Sequence, residues 1–347
     1  MKLFPAGRKK MLLFALRWTI VIALIAVAGG CMMRMPGQSH KGAIPPVTGE
    51  ESAMAGRLRG HVVKLAGEIG ERNTIHYNAL QSAAEYIESR FRALGLLVHD
   101  EKYRADDKEV ANIVAEIKGS AHPDEIVVIG AHYDSVEGSP GANDNASGVA
   151  AVLELARLFK DTKPQRTIRF VAFVNEEPPY FQTEEMGSLV NARQTRKQGD
   201  KVVAMLSLET IGCYSDQPKS QHYPSPFSLF YPNTGNFIAF VANPGSRDLL
   251  HRTIGAFRET TPFPSEGIAA PGFIAGIGWS DHWSFWQAGY PGLMVTDTAP
   301  FRYPHYHEPT DTPEKLDYDR MARVVTGVGR VVEKLVNSGG RALLQAR

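Results

Sequence analysis

Beyond about residue 110 the sequence alternates between two hydrophobic periods. Short apolar runs of strand length (Asn112–Ile117, Glu125–Ala131, Thr167–Val174 and Val202–Leu208) are interleaved with stretches of helical period, Ala146–Phe159, Glu184–Lys197, Arg247–Glu259 and Arg320–Val336. Near-continuous apolar strands need cover on both faces, and amphipathic helices between them supply it. The pattern therefore predicts an α/β sandwich around a largely parallel sheet. No internal repeat competes with this reading. Upstream, Thr48 and Glu51 have the spacing of a capping box, and Met54, Leu58, Val62, Leu65 and Ile69 form one helical face. A second helix is predicted over Leu80–Leu94, with Gly95 at its C-cap.

The N-terminus has a different character. MKLFPAGRKK is basic, and an apolar run from Trp18 to Ala28 leads into Ala28-Gly29-Gly30-Cys31. This is the layout of an export signal. Residues 1–31 are expected to be a signal peptide or membrane anchor, either a lipoprotein signal acylated at Cys31 or an uncleaved helix, placing the remainder in the cell envelope outside the cytoplasm. Residues 32–50, rich in Gly and Pro, read as a flexible linker, and residues 51–347 as one catalytic domain. The formal net charge of +1 splits accordingly. Residues 1–31 carry five bases and no acid, leaving 33 bases against 37 acids in the rest. A mildly acidic body argues against nucleic acid as a partner. With Cys31 acylated, Cys213 has no partner, so no internal disulfide is expected and Cys213 reads as a core residue. The Pro- and aromatic-rich stretch Ser215–Asn236 reads as a long surface loop.

Sites in open α/β sheets form at the carboxyl ends of strands. One strand-like run ends in His132-Tyr133-Asp134, and its loop reaches Asn143-Asp144-Asn145. Others end in Asn175-Glu176-Glu177 and in Glu209, and PGLMVTDTA leads into Tyr306-His307. Imidazoles and carboxylates gathered there suit a pair of zinc ions. One ion would take His132, Asp144 and Glu209, and the other Asp144, Glu177 and His307, with Asp144 bridging. Neighbours on an extended segment point opposite ways, so Glu176 is free as general base while Glu177 ligates. Asp134 would orient the His132 imidazole. No Gly-x-Ser-x-Gly elbow supports a serine hydrolase.

These residues resemble the motifs of the co-catalytic two-zinc aminopeptidases, family twenty-eight of the metallopeptidases. The resemblance rests on Gly130–Ser135, Gly141–Gly148, Phe173–Glu177 and Tyr306-His307, and covers about residues 60–337. It implies a three-layer α/β/α sandwich with a mixed, mostly parallel sheet of about eight strands, two zinc ions per chain, and peptide substrates. It also implies ligand roles for His132, Asp144, Glu177 and His307, a base at Glu176 and an oxyanion role for Tyr306. Glu209 stands where many relatives have Asp. It is the fifth ligand and, with Glu176, a candidate acceptor for a substrate ammonium. Ser280-Asp281-His282 is similar to a family segment near the site. Ser280 or Asp281 reads as a helix cap and His282 as a substrate-pocket residue. Glu184-Glu185 rivals Glu176-Glu177 but reads as a first helical turn. His305 rivals His307, and Asp311 reads as a turn residue. Phe227, Phe230, Tyr231, Trp279, Trp283, Phe285 and Trp286 read as core or as the wall of an apolar pocket. The alternatives to an aminopeptidase are a glutaminyl cyclase, a carboxypeptidase needing a base such as Arg302 for the substrate carboxylate, and an inactive binding module. The sequence gives no oligomeric state.

Overall fold

The computed structural model describes residues 8–337; residues 1–7, which open the basic leader, and residues 338–347 lie outside the described residues. Eight strands form one sheet: β1 (Leu97–Ala105), β2 (Lys108–Ile117), β3 (His122–His132), β4 (Arg166–Phe173), β5 (Lys201–Glu209), β6 (Ile238–Ala242), β7 (Ser265–Ala269) and β8 (Gly292–Thr296). Their order across the sheet is β1-β2-β4-β3-β5-β8-β6-β7. The central strands β4, β3, β5 and β8 run parallel. β1 and β2 add on antiparallel at one side, and β6 is antiparallel to β8 but parallel to β7. The sheet is thus mixed and mostly parallel, as expected.

Alternation along β3 builds both layers. Val127, Ile129 and Ala131 point into the large core, and Ile126 and Val128 into a smaller one on the opposite face. The large core lies under α2 (Gly49–Val62), α3 (Tyr77–Ala93), α4 (Gly148–Phe159), α6 (Arg247–Thr260) and α8 (Tyr318–Asn337). The opposite face carries α5 (Gly187–Gln198) and α7 (His282–Gln287), and a third cluster of Phe237, Ala239, Val241, Ala270, Ile277 and Met294.

The capping box is present: Thr48 Oγ1 accepts from Glu51 N–H at 3.1 Å, and Glu51 Oε2 accepts from Thr48 N–H at 2.9 Å. The helix continues as a wider π-helical turn, Val63–Ile69, and stops at Gly70 with φ 83°. Gly95 follows α3 at φ 79°, the left-handed conformation of a helix-ending glycine. One expectation is corrected. Glu184 and Glu185 precede α5 rather than form its first turn. Glu184 pairs with Arg193, and the Glu185 carbonyl accepts from Tyr103 Oη. Cys213 is half-buried, and burial pushes its thiol up to about 12.

The leader forms α1 (Arg8–Met33). Among the described residues no helix is long and apolar enough to cross a membrane. Between α1 and Thr48 the chain has no helix or strand, yet it lies against the body. Arg258 Nη1 donates to the Pro36 carbonyl at 3.0 Å, Ser39 Oγ accepts from Ser265 N–H at 2.9 Å, and Arg323 Nη1 donates to the Pro45 carbonyl at 2.7 Å.

Candidate metal centre

Each chemical group sits where a strand stops or in the loop beyond it. His132 ends β3 and Glu209 ends β5. Glu176 and Glu177 follow β4, Asp144 lies between β3 and α4, and His307 lies beyond β8. Asp144 is the centre of the group. Its Oδ1 is 3.2 Å from His132 Nε2, and its Oδ2 is 3.1 Å from His307 Nε2. His132 Nε2 also lies 3.3 Å from Glu209 Oε2 and 3.8 Å from Glu176 Oε2, and His307 Nε2 lies 3.3 Å from Glu177 Oε2. Three overlapping donor groups result: His132, Asp144 and Glu209; His132, Glu176 and Glu177; Asp144, Glu177 and His307, each with its donor atoms within 4.8 Å of one another.

The donor set fits a metal. His307 Nε2 and Glu177 Oε1 are buried without a hydrogen-bond partner, although carboxylate oxygens surround the imidazole nitrogen. An imidazole nitrogen and carboxylate oxygens that converge on one buried point are placed for a cation. Electrostatics agree. Burial drives the Glu177 carboxyl up to about 7, with Asp144 adding to the rise, and holds Glu209 above the usual range. Burial also drives Glu176 well above that range, with its neighbours Glu177 and Glu209 adding to the rise. Burial opposes a charged His307, but Asp144 and Glu177 pull its pKa up to about 10.

The supporting groups come largely from distant chain. Asp134 Oδ1 and Oδ2 accept from the backbone N–H of Glu176 at 3.2 Å and Glu177 at 3.0 Å, while its Oδ1 lies 3.5 Å from His132 Nδ1. One carboxylate thus fixes both the imidazole and the Glu-Glu segment. Asp311, expected as a turn residue, is fully buried and accepts from the N–H of Asn143 at 2.8 Å and Asp144 at 3.1 Å, holding the bridging loop. Arg72, which sequence reasoning missed, is fully buried and donates to the carbonyls of Tyr133, Pro140, Gly141 and Gly70. Burial lowers its pKa to about 10, still a cation beneath the carboxylates. The glycines of the loop are steric requirements. A Cβ at Gly141 would stand 2.3 Å from the Asp144 carbonyl oxygen, and one at Gly148 would stand 2.2 Å from that of Leu208.

Other expectations are corrected. Ser280 and Asp281 make no side-chain cap to α7; Ser280 Oγ instead donates to Glu209 Oε2 at 2.7 Å. Asp281 is fully buried near His132 and Glu209 and was not foreseen as part of this surrounding. His282 is fully buried, with Nε2 2.8 Å from the Ile277 carbonyl and its ring against Trp286, so it does not line the cleft. His305 bonds Thr310 and stays outside the donor groups. Tyr306 stacks on His307 with ring centroids 3.9 Å apart and lines the cleft beside Glu209. Phe227, Tyr231 and Trp279 line that cleft as well, whereas Phe230, Trp283, Phe285 and Trp286 do not.

Fold and site together define a class, the α/β/α enzymes that hold a metal ion among carboxylates and imidazoles at the strand ends. The sequence model of peptidase family M28 matches residues 112–332, and the chain belongs to that family. It is 38% identical over 273 residues to the uncharacterised protein YfbL of Escherichia coli K12, covering 76% of this chain and 83% of that one. Further curated relatives are named probable zinc metalloproteases or aminopeptidases, and the chain spans 39–56% of their lengths. The zinc aminopeptidase BSAP of Bacillus subtilis superposes with TM-score 0.66 at 18% identity, over 82% of this chain and 95% of that one. A glutaminyl cyclase of Bacteroides thetaiotaomicron superposes with TM-score 0.61 at 16% identity, over 86% of this chain and all of that one. The fold is therefore shared by two chemistries, and the site has to distinguish them.

Proposed function

We propose that the protein is a dinuclear zinc aminopeptidase that hydrolyses the N-terminal peptide bond of peptides. The observation that carries the reading is Asp144, whose two oxygens each lie within 3.2 Å of a different histidine. Asp144 with His132 and Glu209 would hold one ion, and Asp144 with Glu177 and His307 would hold the other. Two such ions would supply a water of lowered pKa and would polarise the scissile carbonyl. Glu176 takes the proton of the attacking water and delivers it to the leaving amine. The Tyr306 hydroxyl donates to the oxygen on which charge develops. Glu176 and Glu209 receive the substrate's α-ammonium, and Asp134 keeps Glu176 in place through its backbone.

Two observations favour this over the alternatives. Among the described residues the cleft beside Glu209 is lined by two carboxylates, apolar and aromatic groups and a few hydroxyls, and by no Lys, Arg or His. Arg302, the residue a carboxypeptidase would need, does not line the cleft, and its Nε and Nη1 donate to Gln221 and to the carbonyls of Cys213 and Phe237. His132 with Asp144 and Glu209 forms a first donor group beside that of Asp144, Glu177 and His307, which supports the two-ion reading over a one-ion cyclase.

The test uses the full-length protein loaded with zinc. Metal analysis should give about two ions per chain, and aminoacyl amides but not their N-acetylated forms should be cleaved. Glu176→Gln should lose about 10²–10⁴-fold in kcat with metal content retained. Equal cleavage of N-acetylated substrates, or full activity of the variant, overturns the reading. We further propose that the protein is exported and held at the envelope membrane through Cys31 or the N-terminal helix. Labelled fatty acid incorporated into the wild type and not into Cys31→Ser distinguishes the two anchors.

A further inference from the structure

One row of register partners crosses four strands on the sheet face opposite the large core. Glu209 on β5 pairs with Thr296 on β8, Thr296 with Ala239 on β6, and Ala239 with Glu266 on β7. All four residues line a single cleft of about 820 Å³ including its open mouth. The cleft starts at the metal centre, where Glu209 and Tyr306 stand, and runs along the row. Its walls are apolar and aromatic, with Phe227, Ile277, Trp279, Met294 and Phe301 prominent. Among the described residues its only charged lining groups are Glu209 at the near end and Glu266 at the far end. Three interstrand steps of about 4.8 Å put roughly 14 Å between their α-carbons.

Glu266 makes no hydrogen bond or ion pair among the described residues. Arg258, the cation that acts on it most strongly, donates instead to Ser265 Oγ, to the Ser265 carbonyl and to the Pro36 carbonyl. Burial raises the Glu266 pKa, and Arg258 and Lys41 offset this only through space. A carboxylate at the end of an apolar cleft is costly unless a cation meets it. The complementary group is an aliphatic stem ending in a positive head.

We propose that this cleft receives the side chain of the substrate's N-terminal residue and that Glu266 selects arginine or lysine there. The inference rests on the aminopeptidase reading above. With the α-ammonium and scissile carbonyl held at the Glu209 end, the row length matches a long side chain reaching toward Glu266. A glutamate or aspartate side chain would be repelled from both ends of the cleft.

The zinc-loaded full-length protein should be assayed on arginyl, lysyl, leucyl and glutamyl 4-nitroanilides. The kcat/KM for arginyl and lysyl substrates should exceed that for leucyl by tenfold or more. Glu266→Gln should reduce that ratio at least tenfold, chiefly through KM, and Glu266→Lys should shift preference toward glutamyl. Thermal melting of each variant checks folding. Competition between argininamide and norleucinamide on the wild type reads the same selectivity without a variant. A leucyl preference in the wild type, or an arginyl-to-leucyl ratio within threefold of wild type in a folded Glu266→Gln, overturns the proposal. Failure to cleave any aminoacyl substrate would instead overturn the aminopeptidase reading and this proposal with it.

Discussion

Replacing Glu154 by glutamine should destabilise the protein in a strongly pH-dependent way. Glu154 lies on α4, which starts four residues after Asp144, and is only 1% exposed. Its Oε2 accepts from Arg57 Nε and from Arg157 Nε, each at 2.8 Å, and His61 Nε2 lies 3.7 Å from Oε1. Arg57 and His61 belong to α2, so this one carboxylate ties α2 onto α4. Burial alone would raise its pKa, but the neighbouring His61, Arg57 and Arg157 hold it at about 2, against an ordinary 4.5. The folded value lies below the unfolded one. The stabilisation is therefore fully present above about pH 4.5 and is lost as pH falls toward 2. At about 1.4 kcal/mol per tenfold, the drop corresponds to about 3 kcal/mol at neutral pH. Glutamine keeps the shape and one acceptor but not the charge. Urea denaturation of wild type and Glu154→Gln, both metal-free, should therefore differ by about 3 kcal/mol at pH 7 and pH 5, and by less than half of that at pH 3. The carboxylates of the metal centre titrate in both proteins and cancel in the difference. A penalty equal at pH 7 and pH 3 would refute the argument, because it would assign the stabilisation to packing rather than charge.

Three further outcomes test the site. Tyr306→Phe should lower kcat by about 10²-fold or more with KM little changed, which steady-state kinetics on an aminoacyl amide reads directly. Stripping divalent ions with a chelator should lower stability by about 2.7 kcal/mol for an ion present at 100 times its Kd, visible as a fall in Tm that zinc restores. Arg72→Met should cost about 3–5 kcal/mol in denaturation experiments and reduce bound zinc, since it leaves three carbonyls of the ligand-bearing loop, Tyr133, Pro140 and Gly141, without their donor.

The chemistry of the centre was legible because it follows strand order. His132, Asp144, Glu177, Glu209 and His307 each come directly after an apolar run or its loop, and the parallel strands carry them to their common carboxyl ends. The supports were illegible for a physical reason. Arg72 reaches carbonyls 61–69 residues away, and Asp311 holds amides 167 and 168 residues away. Backbone partners leave no side-chain signature at either end, so Asp311 read as a turn residue and Arg72 as nothing. Among the strands, β6 and β7 are five residues each, too short for a period to declare itself. The polar β1 buries only Glu101 and Ala105. The Glu184-Glu185 pair looked helical because the acids stand where a helix dipole would favour them. The chain there turns instead, and α5 begins only at Gly187.

The segment before Thr48 changes where this molecule begins. Composition sets the boundary near residue 50, and a shortened protein would naturally be cut there. Yet β7 is the outermost strand of the sheet, and residues 35–39 lie over it. Ser39 satisfies the Ser265 amide, and Met35 packs so closely on Gly267 that a Cβ there would stand 2.9 Å from its sulfur. Without that cover the Ser265 amide and the Gly267 position of this outer strand would be exposed to the same strand of another copy, although Tyr231 and Arg258 would still hold the Gly267 and Ser265 carbonyls. A fragment starting at residue 50 would keep every residue of the metal centre and gain a route to pair two copies through this outer strand. One starting at Arg34 would keep the edge closed.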